Sequence, residues 1–219
     1  MSRAGEIAAS FASVQERIAR AAARAGRDPV SVMLVAVGKM KPLEDLLHAY
    51  AAGARDFGEN RVQEAEAKFP GLPADAVRHL IGPVQSNKAN RAAKIADVVQ
   101  TIDSEEIAMR LSRGAEAAGK RLRVLLEVRL GGEATKAGVA PEELPALAGV
   151  VRSLPALDLA GLMTIPPPGE TRPHFATLRR LAGELGLSGL SMGMSDDFET
   201  AIEEGATLVR VGTAIFGSR

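Results

Sequence analysis

The sequence predicts a single (β/α)₈ barrel that spans residues 1–219 and begins with an extra helix. Three observations support this fold class: eight short apolar runs alternate with amphipathic stretches, the connections are short, and 219 residues suit one barrel. With 46% hydrophobic residues, the chain can build a sizeable core. A doubly wound open sheet is the alternative, but the turn at 38–42 lacks the Gly-x-Gly-x-x-Gly fingerprint of such sheets.

The first predicted element is a helix that precedes the barrel, within residues 1–27. Apolar residues recur there at steps of three and four, which places them on one helical face. Gly26 and the pair Asp28-Pro29 end the pattern, as expected at a helix terminus. The apolar positions are Ile7, Phe11, Val14, Ile18 and Ala21.

Eight strand-then-helix units follow in order along the chain. Each strand is predicted from a short apolar run, and each helix from apolar residues at helical spacing. The predicted strands are 31–37, 55–58, 77–81, 98–102, 122–130, 157–163, 189–192 and 208–211. The predicted helices are 43–52, 61–69, 86–96, 105–118, 141–153, 172–185, 197–204 and 213–216.

Composition argues against several classes of function. Lys plus Arg and Asp plus Glu both total 27, so no overall field draws the protein to nucleic acid or anionic lipid. The chain has no cysteine, and its three histidines are scattered, so we predict no metal site. No apolar stretch reaches the ~20 residues of a membrane span, and residues 1–27 lack the apolar core of a signal peptide. We therefore expect a cytoplasmic protein.

Lys39 is the first candidate functional residue, because it directly follows the apolar run 32–38. The residues after each strand of a parallel barrel meet at one rim, where such proteins place their sites. Loss of hydration at that rim would favour the neutral, nucleophilic amine, which suits a Schiff base. An ordinary surface lysine at a strand end is the alternative, and Lys39 alone does not decide between them.

The residues after the last two predicted strands are typical of a phosphate site. Glycines let the backbone approach an anion, and hydroxyls and free N–H groups donate to it. The candidates are Ser191, Ser195, Gly212 and Thr213. Ordinary turns with helix caps are the alternative.

A reactive lysine opposite a phosphate site fits pyridoxal 5'-phosphate (PLP), and Arg210 beside its ring nitrogen would keep that nitrogen unprotonated. The alternative role for Arg210 is a structural salt bridge.

Five segments, in order, resemble the YggS/PROSC family of pyridoxal phosphate homeostasis proteins. They are Val35-Ala36-Val37-Gly38-Lys39-Met40-Lys41-Pro42, Phe57-Gly58-Glu59-Asn60-Arg61-Val62-Gln63-Glu64, His79-Leu80-Ile81-Gly82-Pro83-Val84-Gln85-Ser86-Asn87-Lys88, Leu190-Ser191-Met192-Gly193-Met194-Ser195-Asp196-Asp197 and Val209-Arg210-Val211-Gly212-Thr213-Ala214-Ile215-Phe216-Gly217. Gly38, Met40 and Arg61 depart from the residues common in the family. The resemblance implies a barrel like the N-terminal domain of alanine racemase.

The resemblance also implies a role for each candidate residue. Lys39 corresponds to the lysine that forms an aldimine with PLP, and Arg210 to the partner of the ring nitrogen. Ser195, Gly212 and Thr213 correspond to phosphate ligands, and Ser191 is a further candidate for that role. Asn60 and Met192 would lie close to the cofactor, and Lys136 near its opening.

Two functions follow from the resemblance, and we favour the non-enzymatic one. Alanine racemases have a similar barrel but take a second acid-base tyrosine from another domain. Tyr50, the only tyrosine, is predicted to lie roughly 15 Å from the rim at ~1.5 Å per helical residue. We therefore expect no catalytic residues and a carrier that takes part in intracellular PLP homeostasis. A racemase or related PLP enzyme is the alternative, and an interaction module is a third class.

The expected partners are PLP itself and apo forms of PLP-dependent enzymes. We expect a monomer, because the chain lacks the second domain with which alanine racemases build their interface. A dimer stays open as the alternative.

Overall fold

The computed structural model describes residues 2–131 and 137–218, and within these ranges eight parallel strands close into a barrel. The strands pair in chain order from β1 to β8, and β8 pairs with β1. This arrangement confirms the predicted (β/α)₈ barrel with an extra N-terminal helix. The strands are β1 (Met33–Val37), β2 (Asp56–Glu59), β3 (Val77–Leu80), β4 (Val98–Ile102), β5 (Leu122–Glu127), β6 (Leu157–Met163), β7 (Gly189–Ser191) and β8 (Leu208–Val211).

The helices alternate with these strands, as the apolar periodicity predicts. They are α1 (Arg3–Arg24), α2 (Leu43–Ala51), α3 (Val62–Lys68), α4 (Ala89–Ile95), α5 (Glu105–Ala117), α6 (Leu144–Ser153), α7 (Arg172–Glu184), α8 (Phe198–Glu203) and α9 (Thr213–Phe216). Short 3₁₀ turns lie at Pro29–Ser31, Phe69–Gly71 and Ser86–Lys88.

Local hydrogen bonds explain where the boundaries differ from the prediction. The first strand begins at Met33 instead of 31, because the Asp28 side chain accepts the amide of Val30 and holds a 3₁₀ turn there. The fifth strand ends at Glu127 instead of 130, because Val128 makes only an isolated bridge with Val139.

Helix α1 packs against α2, α8 and the short α9 on the outside of the barrel. Its apolar face, which includes Ile7 and Phe11, is buried as predicted. At its N-terminus, Nη2 of Arg3 donates to the carbonyl of Phe216 at 2.9 Å. Because α9 spans only four residues, α1 fills the place that the helix after β8 takes in a regular barrel.

Polar side chains are buried in the strands, where barrels usually carry bulky branched residues. Gln100 of β4 and Ser191 of β7 are fully buried, and Arg210 of β8 is 3% exposed. Buried polar groups require hydrogen-bond partners, so these three side chains must be satisfied by one another or by their neighbours.

Candidate functional site

A cavity of about 350 Å³ opens at the carboxyl-terminal rim of the barrel. This volume lies within the ~300–1,000 Å³ that is typical of small-molecule sites. Its walls come from β1 and β8 and from residues that follow β1, β2, β3, β6, β7 and β8. They include Val37, Lys39, Lys41, Asn60, Ile81, Ile165, Met194, Ser195, Asp196, Arg210, Gly212, Thr213 and Gly217.

The structure brings most of the predicted site residues together around this cavity. Those that line it are Lys39, Asn60, Ser195, Arg210, Gly212 and Thr213. Ser191 and Met192 are fully buried and do not line it. Lys136 lies outside the described residues. Of the two candidate serines, Ser195 is thus the one that faces the cavity.

The side chain of Lys39 lines the cavity but is exposed. Our expectation that burial removes water from this amine is therefore wrong for this structure. The reason is local: β1 ends at Val37, and Lys39 lies in a turn that the Lys41 amide closes by donating to the carbonyl of Gly38 at 2.9 Å.

Two residues of α3 hold the backbone on either side of Lys39. The Glu64 carboxylate accepts the amide of Met40 at 2.9 Å, and the Lys68 ammonium donates to the carbonyl of Gly38 at 2.8 Å. The first of these bonds is the main reason why the pKa of Glu64 is lowered. Met40 has φ +61°, a left-handed conformation that side chains rarely adopt. The backbone of Lys39 is thus fixed although its side chain is free to reach into the cavity.

Lys68 also pairs with a buried carboxylate behind the Lys39 turn. Its ammonium lies 2.8 Å from Oε1 of Glu59, which is fully buried. Burial raises the pKa of Glu59 to about 7, although the contact with Lys68 opposes this shift. Glu59, Glu64 and Lys68 therefore form one ionic cluster on the helix side of the turn, and we call it the α3 cluster.

The guanidinium of Arg210 combines burial with access to the cavity. Nη1 donates to Oγ of Ser191 at 2.6 Å, and Nη2 donates to the carbonyl of Thr164 at 2.9 Å. Burial lowers the pKa of Arg210 to about 10, and the nearby carboxylates of Glu127 and Asp197 oppose this shift. At neutral pH the group is therefore a fixed, buried cation at the cavity wall.

Glu127, at the end of β5, is a second buried carboxylate, and sequence reasoning missed it. Burial, with the nearby charge of Asp103, raises its pKa to about 7, while Arg210 opposes the shift. Its Oε2 is buried without a hydrogen-bond partner among the described residues. In the sequence it is one of three charged residues in the predicted strand 122–130, and nothing in that pattern shows that it faces Arg210.

Close backbone contacts shape the side of the cavity predicted to bind phosphate. A Cβ on Gly212 would lie 3.1 Å from the carbonyl oxygen of Val37, so only glycine fits there without a shift. Gly193 has φ +91°, which favours glycine in the turn after β7. Oγ of Ser195 accepts the amide of Ala214 at 3.4 Å, which joins the turn after β7 to the start of α9. The Ser195 hydroxyl and the backbone around Gly212 therefore lie close together at this wall.

Tyr50, the tyrosine considered as a second acid-base group, does not line the cavity. Its hydroxyl donates to Oδ1 of Asp75 at 2.5 Å, and the guanidinium of Arg55 lies 4.2 Å from the centre of its ring. Tyr50 is thus engaged on the protein surface.

The described part of the chain contains neither a cluster of metal-ligating side chains nor a membrane-spanning helix. No cluster of three or more His, Asp or Glu side chains there is arranged to hold a metal ion. No helix there has the length and apolar character needed to cross a membrane.

The fold and the arrangement of the site define a barrel of the alanine racemase N-terminal domain class. The family described as "Alanine racemase, N-terminal domain" matches residues 10–219. Within that class, the Pyridoxal phosphate homeostasis protein of Pseudomonas aeruginosa is 51% identical over 222 residues, which cover 97% of this chain and 96% of the relative. The chain belongs to the family of pyridoxal phosphate homeostasis proteins, as the sequence resemblance predicts.

Two solved structures have a similar fold. PipY of Synechococcus elongatus PCC7942, solved with PLP bound, matches with a TM-score of 0.82 and 41% identity over 96% of this chain and 100% of that chain. Alanine racemase of Corynebacterium glutamicum matches with a TM-score of 0.73 and 19% identity, over 99% of this chain and 61% of that chain. At this lower identity the likeness to the racemase shows the fold alone.

Proposed function

We propose that this protein binds PLP in the rim cavity, holds it covalently on Lys39, and takes part in PLP homeostasis as a carrier. The observation that carries the proposal is that Lys39, the Arg210 cation and the Ser195 and Gly212 wall meet around one cavity of about 350 Å³. The fit is chemical: PLP offers an aldehyde, a ring nitrogen and a phosphate, and the cavity presents a complementary group for each.

Lys39 would hold PLP through its Nζ, and bound PLP would supply the aldehyde for that C=N linkage, with one water released. The side chain of Lys39 is exposed and lines the cavity, so its Nζ is accessible to a ligand there. The α3 cluster fixes the turn that carries this lysine. Its long side chain supplies the freedom needed to accept and release a ligand.

Arg210 and the phosphate wall orient the ligand at its other groups. A permanent cation beside the ring nitrogen opposes protonation of that nitrogen, which weakens the ring as an electron sink. Ser195, Thr213 and the backbone around Gly212 are the donors for the phosphate. Asn60 contributes an amide to the same cavity.

The carrier role is favoured over turnover by what the cavity presents. Racemisation needs proton exchange on both faces of the substrate carbon. Tyr50 is engaged by Asp75 away from the cavity. An open, water-accessible cavity also gives little electrostatic advantage to a reaction. We propose that bound PLP is passed to apo forms of PLP-dependent enzymes or returned to the free pool.

Borohydride reduction of the PLP-treated protein, followed by peptide mass analysis, tests the covalent site. We expect the label on Lys39 and its loss in Lys39→Ala. Lys41→Ala is the matched control, because Lys41 lines the same cavity two residues away. A label on Lys41, or one that persists in Lys39→Ala, would contradict the assignment.

Assays on a panel of amino acids test the absence of turnover. We expect racemisation and decarboxylation far below ordinary enzyme rates of about 1–10³ s⁻¹. Steady turnover within that range, lost in Lys39→Ala, would make the protein an enzyme instead of a carrier.

A further inference from the structure

A chain of hydrogen bonds runs through the strands of the barrel from Arg210 to Asp56. Nη1 of Arg210 donates to Oγ of Ser191 at 2.6 Å, and the Ser191 hydroxyl donates to Oε1 of Gln100 at 2.6 Å. Nε2 of Gln100 lies 3.0 Å from Nδ1 of His79, and Nε2 of His79 lies 2.9 Å from Oδ1 of Asp56. Five strands thus contribute one residue each to a continuous polar chain.

When Nδ1 of His79 accepts from Gln100, a single pattern of donors and acceptors satisfies every bond of this chain. A guanidinium only donates and an ionised carboxylate only accepts. Asp56 therefore requires a proton on Nε2 of His79, and in the neutral ring this leaves Nδ1 as an acceptor. Gln100 must then present its NH₂ to His79 and its carbonyl to Ser191. The Ser191 hydroxyl proton consequently points away from Arg210, which leaves a lone pair for the guanidinium.

The chain connects the two ends of the barrel. Gln100 and Ser191 are fully buried and His79 is 1% exposed, whereas Asp56 is partly exposed. Asp56 and His79 line a second cavity, of about 490 Å³, which is also bordered by Met33 and Leu208 at the starts of their strands. The Asp56 carboxylate at the end of the chain is therefore in contact with water. The buried side chains of Gln100, Ser191 and His79 instead have their neighbours in the chain as hydrogen-bond partners.

Arg210 needs such support, because a mobile guanidinium would not keep a fixed position at the wall of the cavity. Thr164 holds Nη2 through its backbone carbonyl, and Ser191 holds Nη1. We propose that Asp56 and His79 are positioning residues for Arg210, acting through Gln100 and Ser191 to keep its remaining donors directed at the rim cavity. This inference rests on the proposed role of Arg210 in binding PLP.

Nitrogen-15 NMR of the ligand-free protein tests the chain without PLP. We expect Nε2 of His79 to carry a proton and Nδ1 to accept from Gln100. Gln100→Glu keeps the shape of the side chain, and its ionised carboxylate only accepts, so Nδ1 of His79 should then carry a proton as well. Gln100→Met also keeps the size but breaks the chain, and the side-chain N–H signals of Arg210 should broaden.

PLP titrations test whether the chain matters for the cavity. We expect Gln100→Met to weaken PLP binding about tenfold, which corresponds to the net free-energy contribution of one to two hydrogen bonds. Asp56→Asn should weaken it less, because an amide oxygen still accepts from His79. Asp158→Asn is the matched control: Asp158 lines the same second cavity and undergoes the same charge change outside the chain.

The results separate this inference from the proposed function. If the wild type fails to bind PLP on Lys39, the proposed function is wrong, while the NMR experiment still decides on the chain. If the wild type binds PLP but a folded Gln100→Met has unchanged affinity and an unchanged Arg210 spectrum, the positioning role is wrong. Equal effects of Asp56→Asn and Asp158→Asn would also overturn it, since general electrostatics would then suffice.

Discussion

Met40 is the only non-glycine residue with positive φ in the part of the chain that the structure describes, and it directly follows Lys39. Its side chain is 64% exposed, so packing does not explain why it stays in this conformation. The hydrogen bond from its amide to Glu64 does, because it closes the turn against α3. Met40 is thus a strained residue next to Lys39, the residue proposed to hold PLP, and such strain is typical of turns held for function.

Substitution of Met40 should report this strain. We expect Met40→Ile to destabilise the protein by about 1–2 kcal/mol, because β-branched residues tolerate the left-handed region poorly. Met40→Gly should be close to neutral, since relief of strain offsets the added freedom of the unfolded chain. Urea unfolding measures both. Met33→Ile, on β1, is the control and should show no comparable loss; an equal loss there would refute the strain argument.

Glu127 should make the stability of the protein depend on pH. Its pKa is raised from 4.5 to about 7 in the folded state, so between these values the folded protein holds a proton that the unfolded chain releases. The free energy of unfolding therefore falls as pH rises through this window. Glu127→Gln lacks this titration, and its stability relative to the wild type should rise by up to about 3 kcal/mol from pH 4 to pH 8.

Denaturant titrations at several pH values measure this effect. Glu142→Gln, an exposed carboxylate, changes the net charge by the same amount and serves as the control. If both variants show the same pH dependence, net charge and not the burial of Glu127 is the cause.

For single residues, the sequence predicted functional roles better after the strands than inside them. Lys39, Asn60 and Ser195 were found because strand ends of a barrel converge on one rim. Gln100 and His79 were not assigned a role, because a polar residue within a strand does not reveal its partner on another strand. The exposure of Lys39 was also not foreseen, since it depends on the turn that Glu64 and Lys68 hold.

The strands themselves depend on close backbone contact at one seam, between β6 and β7. A Cβ on Gly161 would lie 2.1 Å from the carbonyl oxygen of Gly189, and a Cβ on Gly189 would lie 2.5 Å from that of Ala160. Side chains at either glycine would push the two strands apart. The glycines are therefore required by the pairing and not by a turn.

Alanine substitutions should distinguish these glycines from those in helices. We expect Gly161→Ala to cost about 2–4 kcal/mol or to prevent folding, because backbone would have to shift. Gly149→Ala in α6 and Gly183→Ala in α7 meet nothing within 4 Å and should stabilise by about 0.5–1 kcal/mol. Thermal unfolding measures all three. A neutral Gly161→Ala would show that the seam can open without loss.

The order and type of the elements were predictable, whereas several of their ends were not. Apolar runs with helical or strand periodicity are a strong local signal, and every predicted strand and helix is present within the described residues. The ends depend on contacts made by distant residues or on local turns. At 86–88, for example, the chain forms a 3₁₀ turn before α4 begins, although the helical pattern starts there.

The molecule as a whole closes its helical layer with α1. The sequence predicted a helix before the first strand, but its role depends on the shortness of α9, which leaves α2 and α8 without an intervening helix. The bond from Arg3 to the carbonyl of Phe216 shows that the start of α1 lies beside the end of the last helix. In space, α1 thus serves as the eighth helix of a regular barrel, although it comes first in the chain.

A circular permutant tests whether α1 serves as the eighth helix of the barrel. The chain would be opened between Arg27 and Asp28, and a short Gly/Ser linker would join residue 218 to residue 2. Because ends that lie close together tolerate such rewiring, we expect cooperative unfolding with a midpoint within a few degrees of the wild type. Deletion of residues 2–27 should instead expose the apolar surface that packs on Ile7, Phe11, Val14 and Ile18 and cause aggregation. If the permutant failed to fold, the sequence position of α1 would matter as well as its contacts; if the deletion variant stayed folded and soluble, α1 would not be the missing helix of the barrel.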